Sequence, residues 1–201
     1  MNVTALGYVL LGLLARESRS GYDLAQNLRR PVGFFWAANH SQIYPQLARL
    51  EEEGLVEHEV VDQRDRPAKK VYTLTPRGRE TLRTWLVEPL TFPTYRDELT
   101  LKAYSLWLAD RVEAARMLRE HAEEHRAREA VCQTYVDDLT DHASEALTRV
   151  DTPEFAAYVA AQRGVSIARE ARSWCLWVAR LLEAQTPLTE AQLRSLPMPP
   201  S

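Results

Sequence analysis

The chain has 201 residues, 45% of them hydrophobic and 26% charged, with a formal net charge of −3 and a pI near 6.0. That is apolar material for one or two folded domains, and it excludes a disordered chain or a protein that coats nucleic acid through bulk positive charge. No apolar run approaches the ~20 residues of a membrane span, Met1 to Leu14 has no basic residue ahead of its apolar ones, and Cys132 and Cys175 stand alone. The expectation is a cytoplasmic protein with reduced, packed thiols, no disulfide framework, no membrane association, and no metal or cofactor.

Val3, Leu6, Leu10, Leu13 and Leu14 recur at helical spacing and predict a first helix ending at Arg16-Glu17-Ser18. Ser20 with Asp23 makes a capping-box pattern for a second helix to Arg29 or Arg30, with Tyr22, Leu24 and Leu28 as its contacts and Pro31 closing it. The apolar connector PVGFFWAA is expected to tuck under the fold. Asn39 or Ser41 caps a third helix, and Pro45 favours the later start, because proline fits a first turn better than a helix interior. In that helix Ile43, Leu47 and Leu50 form one narrow apolar stripe, which turns Ser41, Tyr44, Pro45, Ala48 and Arg49 outward. The outward face carries no acid until Glu51, so nothing on its first turns repels a phosphate, and Gly54 then stops the helix.

Strands are predicted over 55–61 and 70–74, joined by the basic turn DQRDRPAK, with Tyr72 and Leu74 turned to the core. A helix followed by a basic hairpin is the layout of a winged helix, in which the helix enters the major groove and the hairpin lies along the neighbouring backbone or minor groove. Arg64, Arg66, Lys69 and Lys70 are placed for the second role. Residues 1–50 hold five Arg and two acids, 51–63 hold six acids and neither Lys nor Arg, and 64–83 hold seven bases and two acids. The near-neutral total therefore hides a local basic segment, and any DNA binding should be site-directed. Gln42 is the strongest candidate for a base edge, since its amide both donates and accepts against adenine, while the Ser41 and Tyr44 hydroxyls suit bases or phosphates. The competing use is structural, with Gln42 on a solvated face, Tyr44 packed beneath the wing, and Lys69 and Lys70 on a hairpin edge.

Thr75-Pro76 starts a fourth helix to about Val87, and PLTFPTYRD marks a boundary between domains at 1–90 and 91–201. Beyond it a short helix is expected from Leu99 to Leu108, a long one capped by Asp110 and Glu113 to about Leu147, and another from Thr152-Pro153 to about Glu183. A short turn of helix should follow Pro187. A helix of about 35 residues is about 50 Å long, more than a monomeric domain of this size covers. A second copy is therefore expected over Val131, Tyr135 and Leu139 of the first long helix and Trp174, Trp177, Val178, Leu181 and Leu182 of the second; the alternative is the core of an isolated bundle. Phe34, Phe35, Trp36, Tyr95, Tyr104 and Trp107 gather around the boundary, either as a pocket for a small, flat, apolar effector or as core. The fold class is mainly α with a small β-hairpin wing: an N-terminal winged helix-turn-helix and a C-terminal helical dimerisation domain.

Catalysis finds no support in the motifs. There is no glycine-rich phosphate loop, no Gly-x-Ser-x-Gly elbow, and no nucleophile set beside a histidine. His121 and His125 in HAEEH lack the order of a zinc-protease motif and a third ligand, so a solvated helix face is preferred.

Three stretches, SGYDL at 20–24, HSQIYPQLARLEEEGLV at 40–56 and RPAKKVYTLTPRGRETLRTWL at 66–86, together resemble the PadR family of bacterial transcriptional regulators. The resemblance is close over residues 4–90, and the helical part opening with YRDELTLKAYSLWL resembles the larger C-terminal domain of the subfamily with virulence-activator relatives. It implies a homodimer with intertwined C-terminal helices, two winged helices on an inverted repeat in double-stranded DNA, and repression released by a small molecule. By position it implies groove-facing roles for Ser41, Gln42 and Tyr44, a place near the backbone for Tyr22, and a basic wing at Lys69 and Lys70. The family commonly has glycine where this chain has Asp65, whose charge weakens a tight wing contact with phosphate. The rivals are a winged helix used for protein contacts, and a ligand-binding protein that does not read an operator.

Overall fold

The structure, a computed structural model, describes residues 3–28, 40–63, 66–90, 97–184 and 188–191. The chain divides into two compact units, Met1–Phe92 and Pro93–Ser201.

In the first unit, helix α1 (Ala5–Leu14) is capped by Thr4, whose side chain accepts from the Gly7 N–H at 3.1 Å. Helix α2 (Gly21–Asn27) starts in the expected capping box, with the Ser20 hydroxyl accepting from Asp23 N and the Asp23 carboxylate accepting from Ser20 N. Tyr22 is not one of its packing contacts: α2 buries Gly21, Leu24 and Ala25 and leaves Tyr22 60% exposed, because Tyr22 lies off the arc those residues share. Helix α3 (His40–Glu52) starts earlier than Pro45 suggests, so the proline is inside the helix rather than in its first turn. Pro45 lies on the exposed face, where the one lost backbone bond, to the Ser41 carbonyl, is compensated outside the core. The helix ends as Gly54 predicts. Gly54 takes φ +68°, its N–H reaches Glu51 O and the Leu55 N–H reaches Leu50 O, the two bonds of a Schellman motif.

Strands β2 (Val56–Gln63) and β3 (Arg66–Leu74) pair antiparallel and run further toward the tip than expected. Most of the supposed turn is therefore strand, because backbone pairing continues through a register shift between Val61 and Gln63. The sheet has a third strand that patterning could not reveal: β1 (Arg19–Ser20), two residues long, pairs with Tyr72 and Val71 of β3 and makes the order β1-β3-β2. Thr75 caps helix α4 (Pro76–Leu86) and donates its hydroxyl to Gly54 O and Leu55 O. One core, including Leu10, Leu11, Leu24, Ile43, Leu47, Leu50, Leu55 and Tyr72, joins these elements, and Tyr8 stacks on Trp85 with ring centroids 4.2 Å apart.

In the second unit, the expected single helix from Leu99 is helix α5 (Glu98–Tyr104) followed by a 3-10 turn at Leu106–Leu108, since the bonds tighten to i→i+3 at Ser105 before Asp110 caps the next helix. Helix α6 (Arg111–His142) stops short of Leu147, and helix α7 (Ser144–Leu147) is separate. The hydroxyl of Thr152, which caps helix α8 (Pro153–Glu183), also donates to Ala146 O, tying α7 to the start of α8. Helices α6 and α8 pack antiparallel, with Arg119 paired to Glu183 near one end and Cys132 against Gly164 toward the other. Their cores are small-residue rich: Ala115, Leu118, Ala122, Cys175 and Ala179 in one cluster, Cys132, Val136, Ala161 and Val165 in the other. No described helix is long and apolar enough to cross a membrane.

Candidate nucleic-acid interface

The apolar stripe of α3 is where the sequence places it, with Ile43, Leu47 and Leu50 at most 1% exposed. Ser41, Gln42, Tyr44, Pro45, Ala48 and Arg49 are exposed on the other side. Gln46 interrupts the stripe and is buried, which requires a partner. Its Oε1 accepts from Thr4 Oγ1 at 2.9 Å, so one threonine both caps α1 and ties it to α3. Ser41, Gln42 and Arg49 share an open concavity of about 430 Å3 with the first turn of α1. A polar residue within an apolar stripe is the one signal of this tie that the sequence holds, and it does not name the partner.

At the other end of α3, Glu52 is exposed and Glu51 turns toward the sheet. The Glu51 carboxylate bonds His58 Nδ1 on β2, and the His58 ring meets Tyr72 at 5.5 Å between centroids. Burial first, then the charge of Glu51 and the nearness of Tyr44, push the Tyr72 phenol above its ordinary pKa. Tyr44 is 47% exposed, with its ring against Gly21 of α2. Tyr22 stands on the α2 surface and its hydroxyl accepts from Gln26 Nε2 at 2.8 Å.

On the wing, Lys69 and Lys70 are exposed neighbours of β3, paired across from Val61 and Val60. Successive strand residues leave opposite faces, so the two lysines straddle the strand instead of forming one patch. Arg66 belongs to β3, while Arg64 and Asp65 lie outside the described residues.

Lys69 is close enough to Asp23 to act on its ionisation. The Ser20 hydroxyl, donating at 2.6 Å, is the main cause that holds the Asp23 carboxyl below its ordinary range; the Ser20 N–H, Lys69 and Arg19 add to it against partial burial. A folded pKa below the unfolded one, about 4, means stability that is fully present above the unfolded value and lost as pH falls through the folded one. Ser20→Ala is therefore expected to cost about 1 kcal/mol at pH 7. The deficit should shrink in denaturation curves at pH 3, where the carboxylate share is already lost; an unchanged deficit there would rule that share out.

The other expected sites are spread along the second unit. Val131 is exposed, Leu139, Trp177 and Leu181 are half-buried, Tyr135 packs on the Cys132 cluster, and Trp174, Val178 and Leu182 pack on the Leu118 cluster. Several of these residues thus have a partner within the chain. Tyr104 and Trp107 are 85% and 80% exposed, while Phe34, Phe35, Trp36 and Tyr95 lie outside the described residues. His121 Nδ1 pairs with Glu124 at 3.2 Å, and burial, ahead of Arg128 and His121, lowers the pKa of His125. Among the described residues no group of three or more His, Cys, Asp or Glu could hold a metal ion.

Residues 10–84 match the transcriptional regulator PadR-like family, and residues 95–183 match the virulence activator alpha C-term family. The chain is similar to the negative transcriptional regulator PadR of Bacillus subtilis, 33% identical over 170 residues that span 84% of this chain and 92% of that one. The crystal structure of Bacillus subtilis PadR in complex with operator DNA has a TM-score of 0.79 at 30% identity, covering 89% of this chain and 99% of that chain. The structure of the same regulator in complex with p-coumaric acid has a TM-score of 0.75 at 30% identity, covering 90% and 96%. A winged helix whose α3 exposes no acid from Ser41 to Arg49, followed by a long helical unit, and this identity over most of both chains lead to one conclusion: the chain belongs to the PadR-like family of transcriptional regulators.

Proposed function

We propose that the chain is a repressor that binds an inverted-repeat operator as a homodimer and is released by a small aromatic or apolar molecule. The observation that carries this reading is the exposed face of α3, free of acids from Ser41 to Arg49, with Ser41, Gln42, Tyr44 and Arg49 outward while its opposite stripe is sealed in the core. In this reading Met1–Phe92 is the DNA-binding unit, α3 lies in the major groove, and Lys69 and Lys70 meet the flanking backbone. The unit Pro93–Ser201 provides dimerisation through α6 and α8, and the two recognition helices sit about 34 Å apart, one turn of the duplex, or a multiple of it. The relatives' complexes with operator DNA and with p-coumaric acid support both ligand classes. The ring of such an effector can stack on the exposed aromatic side chains of Tyr104 and Trp107.

The test is an anisotropy titration against the DNA upstream of the chain's own coding sequence, with non-specific competitor. Binding should survive competitor, and Gln42→Ala should weaken it by about 10- to 100-fold while leaving non-specific affinity unchanged. Binding no tighter than to competitor would sink operator reading at that site.

A further inference from the structure

Gly21 is the first residue of α2, directly after the cap Ser20, and it is buried. Its backbone does not require glycine: among the described residues only Gly54 has a positive φ. Alanine is the better helix former, so glycine here weakens the helix for some other reason. That reason is space. A Cβ at Gly21 would lie 2.7 Å from Cε1 of Tyr44, 3.3 Å from its Cζ and 3.4 Å from its Cδ1, and these three nearest atoms belong to one ring.

The other crowded glycines face different neighbours. A Cβ at Gly78 would strike the Leu55 carbonyl, one at Gly7 would meet Val3 and Gln46, and one at Gly164 would meet Cys132. Those contacts are scaffold. Of the described glycines, Gly21 alone abuts an exposed side chain of the α3 face. A tyrosine has two side-chain torsions, so a ring laid on a bare Cα loses most of its freedom before DNA arrives, and that freedom need not be given up on binding.

We propose that Gly21 is a positioning residue for DNA reading, its absent side chain forming the seat that aims the Tyr44 ring at the operator. This rests on the DNA-binding reading given above. A methyl group at position 21 swings the half-exposed ring outward, into the volume the duplex must occupy, without displacing backbone.

The experiment uses the full chain as wild type, Gly21→Ala, Tyr44→Ala and the double variant. Each is titrated with the tightest duplex that the wild type selects from a randomised pool and with a non-specific duplex, at two salt concentrations, and each is melted. Gly21→Ala should weaken operator binding about tenfold, leaving non-specific affinity and the salt slope unchanged because the phosphate contacts lie elsewhere. In the Tyr44→Ala background the same change should alter affinity by less than about twofold, since contacting pairs are non-additive. Equal losses in both backgrounds, or no loss in the single variant, would overturn the proposal. If Gly21→Ala lowers the melting temperature, recovery to the Tyr44→Ala value in the double variant supports the seat, and a persisting loss overturns it. A wild type that selects no sequence overturns the DNA-binding reading itself, and the proposal with it.

Discussion

Replacing Lys69 and Lys70 together with alanine should flatten the salt dependence of operator binding and leave the preference among sequences intact. Each lysine that neutralises a phosphate contributes about 0.9 to the slope of log affinity against log salt. With both lysines present on both wings of a dimer, the slope should fall by up to about 3.6. Between 50 and 200 mM salt the wild type would then lose about a hundredfold more affinity than the variant does. The single variants should differ, because the two side chains leave opposite faces of β3 and Lys69 feels the opposite charge of the Asp23 carboxylate. Part of the Lys69 charge is balanced inside the chain, so Lys70→Ala should flatten the slope more than Lys69→Ala. Titrations at four salt concentrations on operator and random duplex measure this. A double variant with the wild-type slope would remove the wing from the interface.

The contrast with Gln42 follows from the same geometry. A base-reading side chain on α3 should change the ratio of specific to non-specific affinity at any one salt concentration, whereas a wing lysine should change both affinities together. Only a side chain on the exposed face of α3, or a residue that positions one, is expected to do the former.

The parts of this fold legible in the sequence are those that depend on neighbours in the chain. The capping pairs at Ser20 and Asp23, at Thr75 and Pro76, and at Thr152 and Pro153 each start a helix where expected, because a cap is satisfied within three residues. The stripe of α3 and its polar face were readable for the same reason. What escaped depends on distant partners. A two-residue strand such as β1 has no periodicity of its own and exists only because β3 offers it backbone groups. Pro45 misled because proline was weighed as a breaker, when the exposed face tolerates the missing bond. The candidate site was legible as a set of outward residues, but not its supports: the Thr4 to Gln46 bond, the Glu51 to His58 pair and the seat at Gly21 each join residues from separate elements.

Gly78→Ala should be the most damaging single methyl group in the first unit. Gly78 is the third residue of α4, and its N–H donates to the Thr75 hydroxyl at 3.0 Å. That hydroxyl in turn donates to Gly54 O at 2.8 Å and Leu55 O at 3.1 Å, and Thr75 N also reaches Leu55 O at 3.1 Å. The first turn of α4 is thereby laid across the residues that terminate the recognition helix. A Cβ at position 78 would stand 2.0 Å from Leu55 O, 2.9 Å from Leu55 C and 2.7 Å from Leu74 Cδ1. The Leu74 methyl can turn away, but the Leu55 carbonyl is backbone and anchored at both ends, by Gly54 in its left-handed conformation and by β2. Relief must come from lifting α4, which opens the buried side of Leu82 and lengthens the Thr75 bonds. The expected loss is about 3 kcal/mol, or a fall of about 15 °C in the melting midpoint of this unit. In urea the midpoint should shift while the slope stays constant, since the surface exposed on unfolding hardly changes. Gly21→Ala, which displaces only a half-exposed ring, should leave that midpoint nearly where it was. A Gly78→Ala chain that melts with the wild type would mean that α4 is not held against Leu55 as described, and that the end of the recognition helix is free to move relative to the wing.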